Sequence, residues 1–438
     1  MASDGVMTWT DGYISDVSYP AFFYKEMQPV WLAATARFRG FSAPDTDGSF
    51  ELCELGCGAG INLLTSAACH PSARFLGVDF DAGQLEVARH AARSCGIENV
   101  EFLNADFATF AAENERHFDF ITSHGAWSWI APHHREALLE GAARALEPGG
   151  LFYLHYMCHP GSTDLVPLQH LLNLCAHHMP GPSPRRAQTG LKLLRQIADS
   201  GIYADQPAML RHLANMEKRD PADLAHEFLT DHWQPQQSAS VHEQVGRSGL
   251  SYIGSADAFA NLDVSLSVPG QMQALIRRTH VPALAETLKD MARNAHQRMD
   301  LFQKEPAPLN REQFNEAIAE TVFQLLPDAP RHGPVRFSTP IGPVVGPEEI
   351  FTPLLQRLSA GMASGAELLQ LPAFAGETEA LLQAVQLLMM QGMAHPVRSG
   401  SQPAGDSTSR LSRWFADHGI GLAIIEDCAT TVPASPAG

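Results

Sequence analysis

The sequence predicts an α/β protein that is built on a mainly parallel sheet and carries further helical units. Three observations lead to this fold class. Strand-like and helix-like segments alternate through the first 156 residues, a glycine cluster follows the first strand, and the pattern changes to helices alone near residue 165. With 438 residues, of which 45% are hydrophobic and 18% charged, the chain is too long for one ordinary core, and we expect two or three domains.

Six strands make up the predicted sheet. They are short apolar runs at 50–55, 74–78, 100–103, 118–122, 151–156 and 250–254. Helical stretches lie between them at 62–69, 84–94, 134–146 and 241–248. Strands that are separated by helices at this spacing indicate βαβ units and a parallel sheet covered on both faces.

The remaining segments indicate how the chain is divided. We expect an N-terminal cap segment, a ligand-binding domain, a helical insertion, a segment that completes the sheet, a helical linker or regulatory region, a winged-helix-like domain and a loose tail. In this order they span residues 1–30, 31–160, 161–235, 236–265, 266–304, 305–398 and 399–438. The insertion is expected above the carboxyl edge of the sheet, where α/β proteins bind their ligands.

The C-terminal domain is predicted from the order of its elements. A helix at 312–325, a Pro/Gly-rich hairpin at 331–347 and helices at 348–359, 364–371 and 377–391 follow one another as in a winged-helix fold. The stretch 305–395 contains ten acidic residues and four basic ones. We therefore expect a structural or protein-contact role for this domain rather than DNA binding.

Charge and cysteine content indicate which binding partners and which cellular compartment to expect. The 48 acidic and 30 basic residues give a formal charge of −18, which opposes binding to nucleic acid and to anionic lipid. The seven cysteines form neither a C-x-x-C pair nor a disulfide-like framework, as is typical of a reducing compartment. The N-terminus lacks the apolar core of a signal peptide, and no apolar stretch approaches the roughly 18 residues of a membrane span. We expect a cytoplasmic protein that binds neither nucleic acid nor membrane.

A glycine-rich loop follows the first strand directly. Its sequence is Glu54-Leu-Gly56-Cys-Gly58-Ala-Gly60. Glycines there allow the backbone to turn tightly and to approach a ligand without interference from Cβ. The G-x-G-x-G spacing differs from the G-x-G-x-x-G of dinucleotide-binding proteins, so it implies no pyrophosphate. An acid at position 54 would repel a phosphate, whereas it suits a ligand with ammonium and sulfonium charges.

Acidic residues also follow the second and third strands. Asp79 ends the second strand, where a carboxylate can accept hydrogen bonds from two ribose hydroxyls. Asn104-Ala-Asp106-Phe107 follows the third strand, which places a carboxylate and an aromatic ring beside a purine. Together with Pro148-Gly-Gly before the fifth strand, this arrangement resembles the class I S-adenosylmethionine-dependent methyltransferases. The alternative is a Rossmann-like domain for another nucleotide.

The resemblance implies a class I methyltransferase Rossmann-like sheet, with an inserted helical cap and the winged-helix-like domain added to it. Residues 31–160 would then form the S-adenosylmethionine-binding domain. The cofactor contacts that it implies are Tyr19, Glu54, Gly56, Cys57, Gly58, Gly60, Asn62, Asp79, Phe80, Ala105, Asp106, Phe107 and Ser123. No metal ligand is expected.

Further motifs resemble a narrower group, the bacterial methyltransferases with a methyltransferase regulatory domain. These motifs are Trp9-Thr-Asp-Gly-Tyr13, Ser18-Tyr-Pro20, His124-Gly-Ala-Trp-Ser-Trp-Ile130, Leu224-Ala-His-Glu-Phe-Leu-Thr-Asp-His-Trp-Gln-Pro235 and Tyr252-Ile-Gly-Ser-Ala-Asp257. The group includes the rickettsial-type protein-lysine methyltransferases that modify outer-membrane proteins. The resemblance implies methyl transfer to a nitrogen of a protein or peptide, with lysine favoured.

Three residues after the fourth strand are the catalytic candidates. Trp127 and Trp129 are expected to form apolar walls that favour the neutral lysine amine, whose reference pKa is about 10.4, and to contact cationic groups. His124 is a candidate base. A simple hydrogen-bonding role for the histidine and core packing of the two tryptophans are the alternatives. Tyr13 or Tyr19 is expected to close over the methionine end of the cofactor.

Other histidines are expected to be structural. The spacing of His226, Glu227 and His232 resembles that of metal ligands. However, the side chains of His226 and Glu227, as neighbours on a helix, point about 100° apart, so helix capping is the preferred interpretation. His133 and His134 are expected to face solvent.

Two other functions are consistent with the same sequence. One is N- or O-methylation of a small molecule or natural-product intermediate, which a closed pocket would favour. The other is a non-catalytic protein that binds the cofactor and contacts a partner through the C-terminal domain. The expected partners are a protein, peptide or small-molecule methyl acceptor, and a homodimer is possible.

Overall fold

A seven-stranded sheet forms the centre of the protein in the computed structural model, which describes residues 11–17, 20–398 and 405–434. Its strands are β1 (Glu51–Leu55), β2 (Arg74–Asp79), β3 (Val100–Asn104), β4 (Phe118–Ser123), β5 (Leu146–Met157), β6 (Leu250–Ser255) and β7 (Gln297–Lys304). They are arranged in the order β3-β2-β1-β4-β5-β7-β6. The first five are parallel, and β7 runs antiparallel between β5 and β6. The predicted α/β fold of class I methyltransferase type is confirmed.

Five helices pack against the parallel half of the sheet. They are α1 (Pro29–Phe38), α2 (Ile61–Cys69), α3 (Ala82–Cys95), α4 (Phe107–Glu113) and α5 (Pro132–Ala145). The sequence pattern predicts α2, α3 and α5, and it misses the other two. Helix α1 is buried on almost all sides, so it lacks the polar stripe of an amphipathic helix. Helix α4 has only seven residues and begins where the Asp106 side chain caps it.

The inserted segment forms a helical cap. It contains α6 (Leu165–His178), α7 (Ser183–Asp199), α8 (Pro207–Met216) and α9 (Pro221–Phe228), close to the predicted bounds. These helices bury their apolar residues in a cluster of their own, which also takes in Trp129 from the end of the parallel sheet. Helix α10 (Ser238–Arg247) then leads into β6, as predicted.

The stretch that follows β6 contains a strand that the pattern does not predict. After α11 (Val264–Ser267), α12 (Gly270–Arg277) and α13 (Pro282–Arg293), the chain forms β7 where a helix was expected. Strand β7 carries Arg298 and Asp300, which are buried and joined by hydrogen bonds of 3.0 Å. Buried charges that compensate each other interrupt the apolar run that identifies an interior strand.

The C-terminal unit follows the predicted order of elements. Its parts are α14 (Arg311–Glu320), β8 (Val322–Leu325), β9 (Val335–Thr339), β10 (Gly342–Gly346), α15 (Glu348–Ser359), β11 (Ala363–Ser364), α16 (Gly365–Leu368), α17 (Thr378–Met390) and β12 (Ala394–Pro396). Strands β9 and β10 form the predicted hairpin. The helix predicted at 312–325 ends at Glu320, because the next residues form β8, the centre of the sheet β11-β8-β12. Phe323 stacks on Phe38 of α1, so this unit shares a core with the central domain.

The structure corrects the prediction of a loose tail at residues 399–438. Residues 405–434 contain α18 (Asp406–Asp417) and the antiparallel pair β13 (Leu422–Ile425) and β14 (Thr430–Pro433). Leu411 and Phe415 are buried, and the Arg410 guanidinium donates to the carbonyl oxygen of Cys95 at 2.7 Å. The buried face of the helix includes Thr408 beside Leu411, Trp414 and Phe415, and the other residues are mostly polar, so its apolar stripe is narrow. Among the described residues, no helix is both long and apolar enough to cross a membrane.

Candidate functional site

A cavity of about 420 Å³ lies at the carboxyl ends of β1, β2, β3 and β4. Its floor consists of the loops that follow these strands. Its cover consists of residues 13–14 and 20–27 and of His226 in the helical cap. Most predicted cofactor residues line it, namely Glu54, Gly56, Cys57, Gly58, Gly60, Asn62, Asp79, Phe80, Ala105, Asp106 and Phe107. Tyr19 lies outside the described residues.

The glycine loop needs glycine most strictly at its last position. Gly60 has φ +69°, in the left-handed region, and a Cβ there would lie 2.9 Å from the Phe102 ring. At Gly58 a Cβ would meet open space, so the backbone is exposed to the cavity. The Gly58 N–H donates to the Asp79 carboxylate at 2.8 Å. The loop is therefore held close to β2 while its surface is left free for a ligand.

Asp79 is placed by backbone donors at the end of β2. One carboxylate oxygen accepts from Gly58 N and the other from Asp81 N, at 2.8 and 2.9 Å. Each oxygen keeps acceptor capacity for a further donor. Burial raises the pKa of Asp79. Asp106 differs, because its hydrogen bond from Thr109 N, at 2.7 Å, lowers the pKa of its carboxyl.

Glu54 lies buried at the end of β1 without a positive partner. No described Lys or Arg lies within ion-pair distance of it, and burial, together with the nearby Asp79, raises its pKa to about 8. None of the described residues that line the cavity is Lys or Arg. A carboxylate in this setting is stabilised by a ligand that brings its own positive charge. S-adenosylmethionine carries sulfonium and ammonium groups, so the residues present fit it.

Asn62 connects the floor to the cover. Its side chain accepts from Tyr24 N at 3.1 Å and donates to Tyr24 O at 2.6 Å. The predicted cofactor residue thus anchors the segment that carries Tyr24. Tyr13 packs edge-on against Phe80 with the ring centroids 5.6 Å apart.

Sequence reasoning missed several residues of the cover. Tyr24 was not a candidate, and His226 was interpreted as structural. His226 lines the cavity, and its Nε2 donates to Val17 O at 2.9 Å. The prediction of solvent exposure is right for His133, whose side chain is 62% exposed, and wrong for His134, which is 13% exposed and also lines the cavity. The signals in the sequence for this part of the site were the motifs at 9–13, 18–20 and 224–235, which contain the lining residues Tyr13, Pro20 and His226.

His124 is the one catalytic candidate that the structure places at the cavity. Its Nδ1 lies 2.7 Å from the Tyr153 hydroxyl oxygen. Its ring stacks on Tyr24 on one side and on His155 on the other, with centroid distances of 3.6 and 3.9 Å. Burial, with a smaller contribution from His155, lowers the pKa of His124 well below its usual value. The ring is therefore neutral near pH 7.

The two tryptophans and Ser123 do not line the cavity, which corrects their prediction as site residues. Trp127 is buried in the core of the sheet with the Arg135 guanidinium 5.9 Å from its ring. Trp129 belongs to the core of the helical cap and donates from Nε1 to Glu227 O at 3.1 Å. The chain turns after β4, with Trp129 N donating to Ala126 O at 2.8 Å, so the tryptophans do not share one face of an extended strand.

Two regions of the chain match known protein families. Residues 52–150 match a family described as a methyltransferase domain, and residues 220–304 match a predicted methyltransferase regulatory domain. An uncharacterised protein of Synechocystis sp. is 28% identical over 394 residues, which is 89% of this chain and 77% of that protein. A trans-aconitate 2-methyltransferase of Paracidovorax citrulli is 32% identical over 98 residues, which is 22% of this chain and 35% of that enzyme.

A solved structure shares the fold over nearly the whole chain. The structure of PKMT2 from Rickettsia typhi superposes with a TM-score of 0.71 and 18% identity, and it covers 95% of this chain and 86% of that one. A second structure of PKMT2, in complex with AdoHcy, gives a TM-score of 0.67 at 19% identity over 87% of this chain and 78% of that one. The likeness includes the cap and the C-terminal unit as well as the sheet.

Proposed function

Because this chain is an S-adenosylmethionine-dependent methyltransferase with a regulatory domain, we propose that it methylates an amine nitrogen, that of a lysine side chain in a protein or peptide. The observation that carries the proposal is the charge of the cavity. Four acidic residues line it, Glu54, Asp79, Asp81 and Asp106, and none of the described lining residues is Lys or Arg. The resemblance to the rickettsial-type protein-lysine methyltransferases supports lysine as the amine.

The acidic lining favours an amine over an acid as the methyl acceptor. A lysine ammonium entering the cavity is attracted by the same carboxylates that attract the cofactor. An acceptor such as trans-aconitate, which carries three carboxylates, would be repelled and would find no cationic partner among the described lining residues. The net charge of −18 likewise favours a basic protein as partner. The similarity to trans-aconitate methyltransferase therefore extends to the cofactor domain and not to the acceptor.

The floor residues would bind and orient the cofactor. Asp79 would accept hydrogen bonds from the ribose hydroxyls, and Asp106 and Phe107 would lie beside the adenine. Glu54 would balance the positive charge of the cofactor. When bound, S-adenosylmethionine supplies a methyl group on a positively charged sulfur, which leaves as a neutral thioether. Since the leaving group is already good, the protein acts mainly by positioning the amine in line and by excluding water.

The amine must be neutral before it can attack. Aromatic and apolar side chains around the entrance, Phe22, Tyr24 and Ile130, disfavour the ammonium form by desolvation. We propose that His124 accepts the amine proton at Nε2. In the tautomer that this requires, Nδ1–H donates to the Tyr153 hydroxyl oxygen and Nε2 carries the lone pair. The lowered pKa leaves this nitrogen unprotonated near pH 7 and makes it a weak base, so His124 would relay the proton to solvent without retaining it.

A labelling experiment with lysine-blocked acceptors tests the proposal. A bacterial protein extract is divided, and lysines in one half are acetylated. Both halves then receive the purified enzyme and methyl-labelled S-adenosylmethionine, with Asp79→Asn as the inactive control and Asp119→Asn as the matched one. We expect label in the protein fraction of the untreated half, recovered as methyl-lysine after hydrolysis. Equal labelling of both halves, or label confined to molecules that pass a dialysis membrane, would show that the acceptor is not a protein lysine.

A further inference from the structure

Three possible metal ligands converge beside the cavity, and a fourth lies near them. They are Asp11 of the N-terminal segment, His133 and His134 at the start of α5, and His232 after α9. We propose that they bind one divalent transition-metal ion, with Zn²⁺ as the best match. The ion would fasten the N-terminal segment over the cofactor cavity.

The distances between these groups suit an ion in their midst. The Nε2 atoms of His133 and His134 lie 3.4 and 3.2 Å from one carboxylate oxygen of Asp11. The three ligand atoms all lie within 4.8 Å of one another, and His232 Nε2 is 3.9 Å from the second Asp11 oxygen. In a tetrahedral zinc site with bonds of about 2.0–2.2 Å, ligand atoms are about 3.3–3.6 Å apart. In the proposed site, a rotation of the His232 side chain would bring the fourth ligand into place.

One carboxylate oxygen of Asp11 lacks a well-directed hydrogen bond. Asp11 Oδ2 is buried and receives no hydrogen bond of good geometry from the described residues, although the Nε2 atoms of His133 and His134 lie within ion-pair distance of it. A buried carboxylate oxygen without a partner is costly, and such oxygens are normally satisfied. A cation between the carboxylate and the imidazoles would satisfy it.

The donor set selects the kind of metal. Three imidazole nitrogens and one carboxylate oxygen suit Zn²⁺, whereas Mg²⁺ and Ca²⁺ prefer oxygen ligands alone. Four protein ligands leave no open position, which is typical of a structural site.

The ion would join three separate parts of the chain across the cavity. Gly12 already accepts a hydrogen bond from Asp231 N at 3.1 Å, and Tyr13 packs on Phe80 of the floor. A metal at Asp11 would hold this segment to α5 and to the end of the cap at once. It would therefore slow the exchange of cofactor and protect the segment from proteolysis.

Metal binding is tested on the full-length protein without an affinity tag. After treatment with a chelator, the protein is titrated with Zn²⁺ in competition with a chromophoric chelator, and with Co²⁺ to record the visible absorption of a four-coordinate site. We expect one ion per chain. His133→Ala should weaken binding at least about a hundredfold, since loss of an outer-shell partner alone costs about 10- to 100-fold. His133 is 62% exposed, so its removal should not disturb the fold, which circular dichroism checks.

His117→Ala is the matched control, because His117 is exposed and lies at the opposite edge of the sheet. It should bind Zn²⁺ as the wild type does. Equal Zn²⁺ affinity in the wild type and His133→Ala, or no binding, would overturn the proposal. Fastening is measured by chymotrypsin cleavage after Tyr13, which Zn²⁺ should slow in the wild type and not in His133→Ala. Binding without this protection would overturn the fastening role. Neither readout depends on the methyl acceptor.

Discussion

The floor and the cover of the cavity are built by different means. Glu54, Asp79 and Asp106 of the floor lie within 53 residues of one another and follow three neighbouring parallel strands. Their positions follow from the strand pairing and from backbone donors. The cover is assembled from Tyr13 and Tyr24 of the N-terminal segment and from His226, which lies more than 200 residues further along the chain. It is held by a few side-chain hydrogen bonds. We expect the floor to determine affinity and the cover to determine how fast the cofactor leaves.

This difference has an energetic basis. The floor can rearrange only if hydrogen bonds of the central sheet are broken, so it belongs to the most stable part of the protein. The cover can open when Tyr24 leaves Asn62 and the N-terminal segment leaves His226. Segments with few such contacts open locally at a much smaller free-energy cost.

The largest effect is expected on the floor, for Asp79→Asn. The amide lacks one of the two carboxylate acceptors and the negative charge that strengthens hydrogen bonds from the ribose hydroxyls. Hydrogen bonds to charged groups contribute about 1.5–3 kcal/mol each. We therefore expect the affinity for S-adenosylmethionine to fall at least about a hundredfold, as measured by calorimetry.

Asp119→Asn is the control for this change. Asp119 resembles Asp79 because its carboxylate also accepts a backbone hydrogen bond, from Glu51 N at 2.8 Å. It lies near the amino end of β4, away from the cavity at the carboxyl ends of the strands. This variant should lose stability and keep its cofactor affinity. A similar loss of affinity in both variants would mean that Asp79 acts only through the fold.

The next effect is a pH dependence that arises from Glu54. Its pKa is raised to about 8 in the free protein, first by burial and then by Asp79. A cationic ligand stabilises the ionised form, so the pKa falls on binding and a proton is released at pH values between the pKa of the complex and that of the free protein. The affinity for S-adenosylmethionine should therefore fall as the pH is lowered from 8 to 6, by up to about tenfold per unit.

Calorimetry at pH 6.5 in two buffers of different ionisation enthalpy measures this proton release. Glu54→Gln should bind without release, and its affinity should be flat over the same range. S-adenosylhomocysteine, which lacks the sulfonium charge, should show a weaker dependence on pH in the wild type. Identical apparent enthalpies in the two buffers for the wild type would contradict the assignment.

The same contrast explains how far the sequence predicts the protein. The parallel sheet, the glycine loop and the acids at Glu54 and Asp79 were predictable because each depends on a local pattern at the end of a strand. Strand β7 was not, because Arg298 and Asp300 compensate each other inside the protein and no short window reveals the pair. The α18 helix was missed because its polar side matches a disordered composition.

The cover of the site was largely unpredictable for a related reason. Tyr24 reaches the cavity through Asn62, 38 residues away, and His226 contacts Val17, 209 residues away. Trp127 and Trp129 were predicted at the site from their position after β4, but a turn directs both into apolar cores. Proximity in sequence to a strand end predicts a site residue only while the chain remains extended.

A smaller effect is expected where the floor holds the cover, for Asn62→Ala. The substitution removes both hydrogen bonds to the Tyr24 backbone, each of which contributes about 0.5–1.5 kcal/mol. We expect S-adenosylhomocysteine to dissociate at least about fivefold faster, as followed by stopped-flow displacement. Asn99→Ala is the control, since that amide bonds three carbonyls at the far end of α2. It should lower the melting temperature without changing the dissociation rate, and a faster release in both variants would argue against a specific anchor.

The smallest effect is expected for His226→Ala, which removes the hydrogen bond from His226 of the cap to Val17. A hydrogen bond between neutral groups contributes about 0.5–1 kcal/mol, so its loss should make the release of the cofactor about two- to fivefold faster. Because the Val17 carbonyl can only accept, His226 Nε2 must carry a proton, and His226→Gln keeps a donor in reach and should restore the slower rate. His70→Ala controls for the loss of a buried histidine, since His70 bonds Ser66 O away from the cavity. If His226→Gln releases the cofactor as fast as His226→Ala, the side chain contributes packing and not this hydrogen bond, and the cover is held by its apolar contacts to the cap.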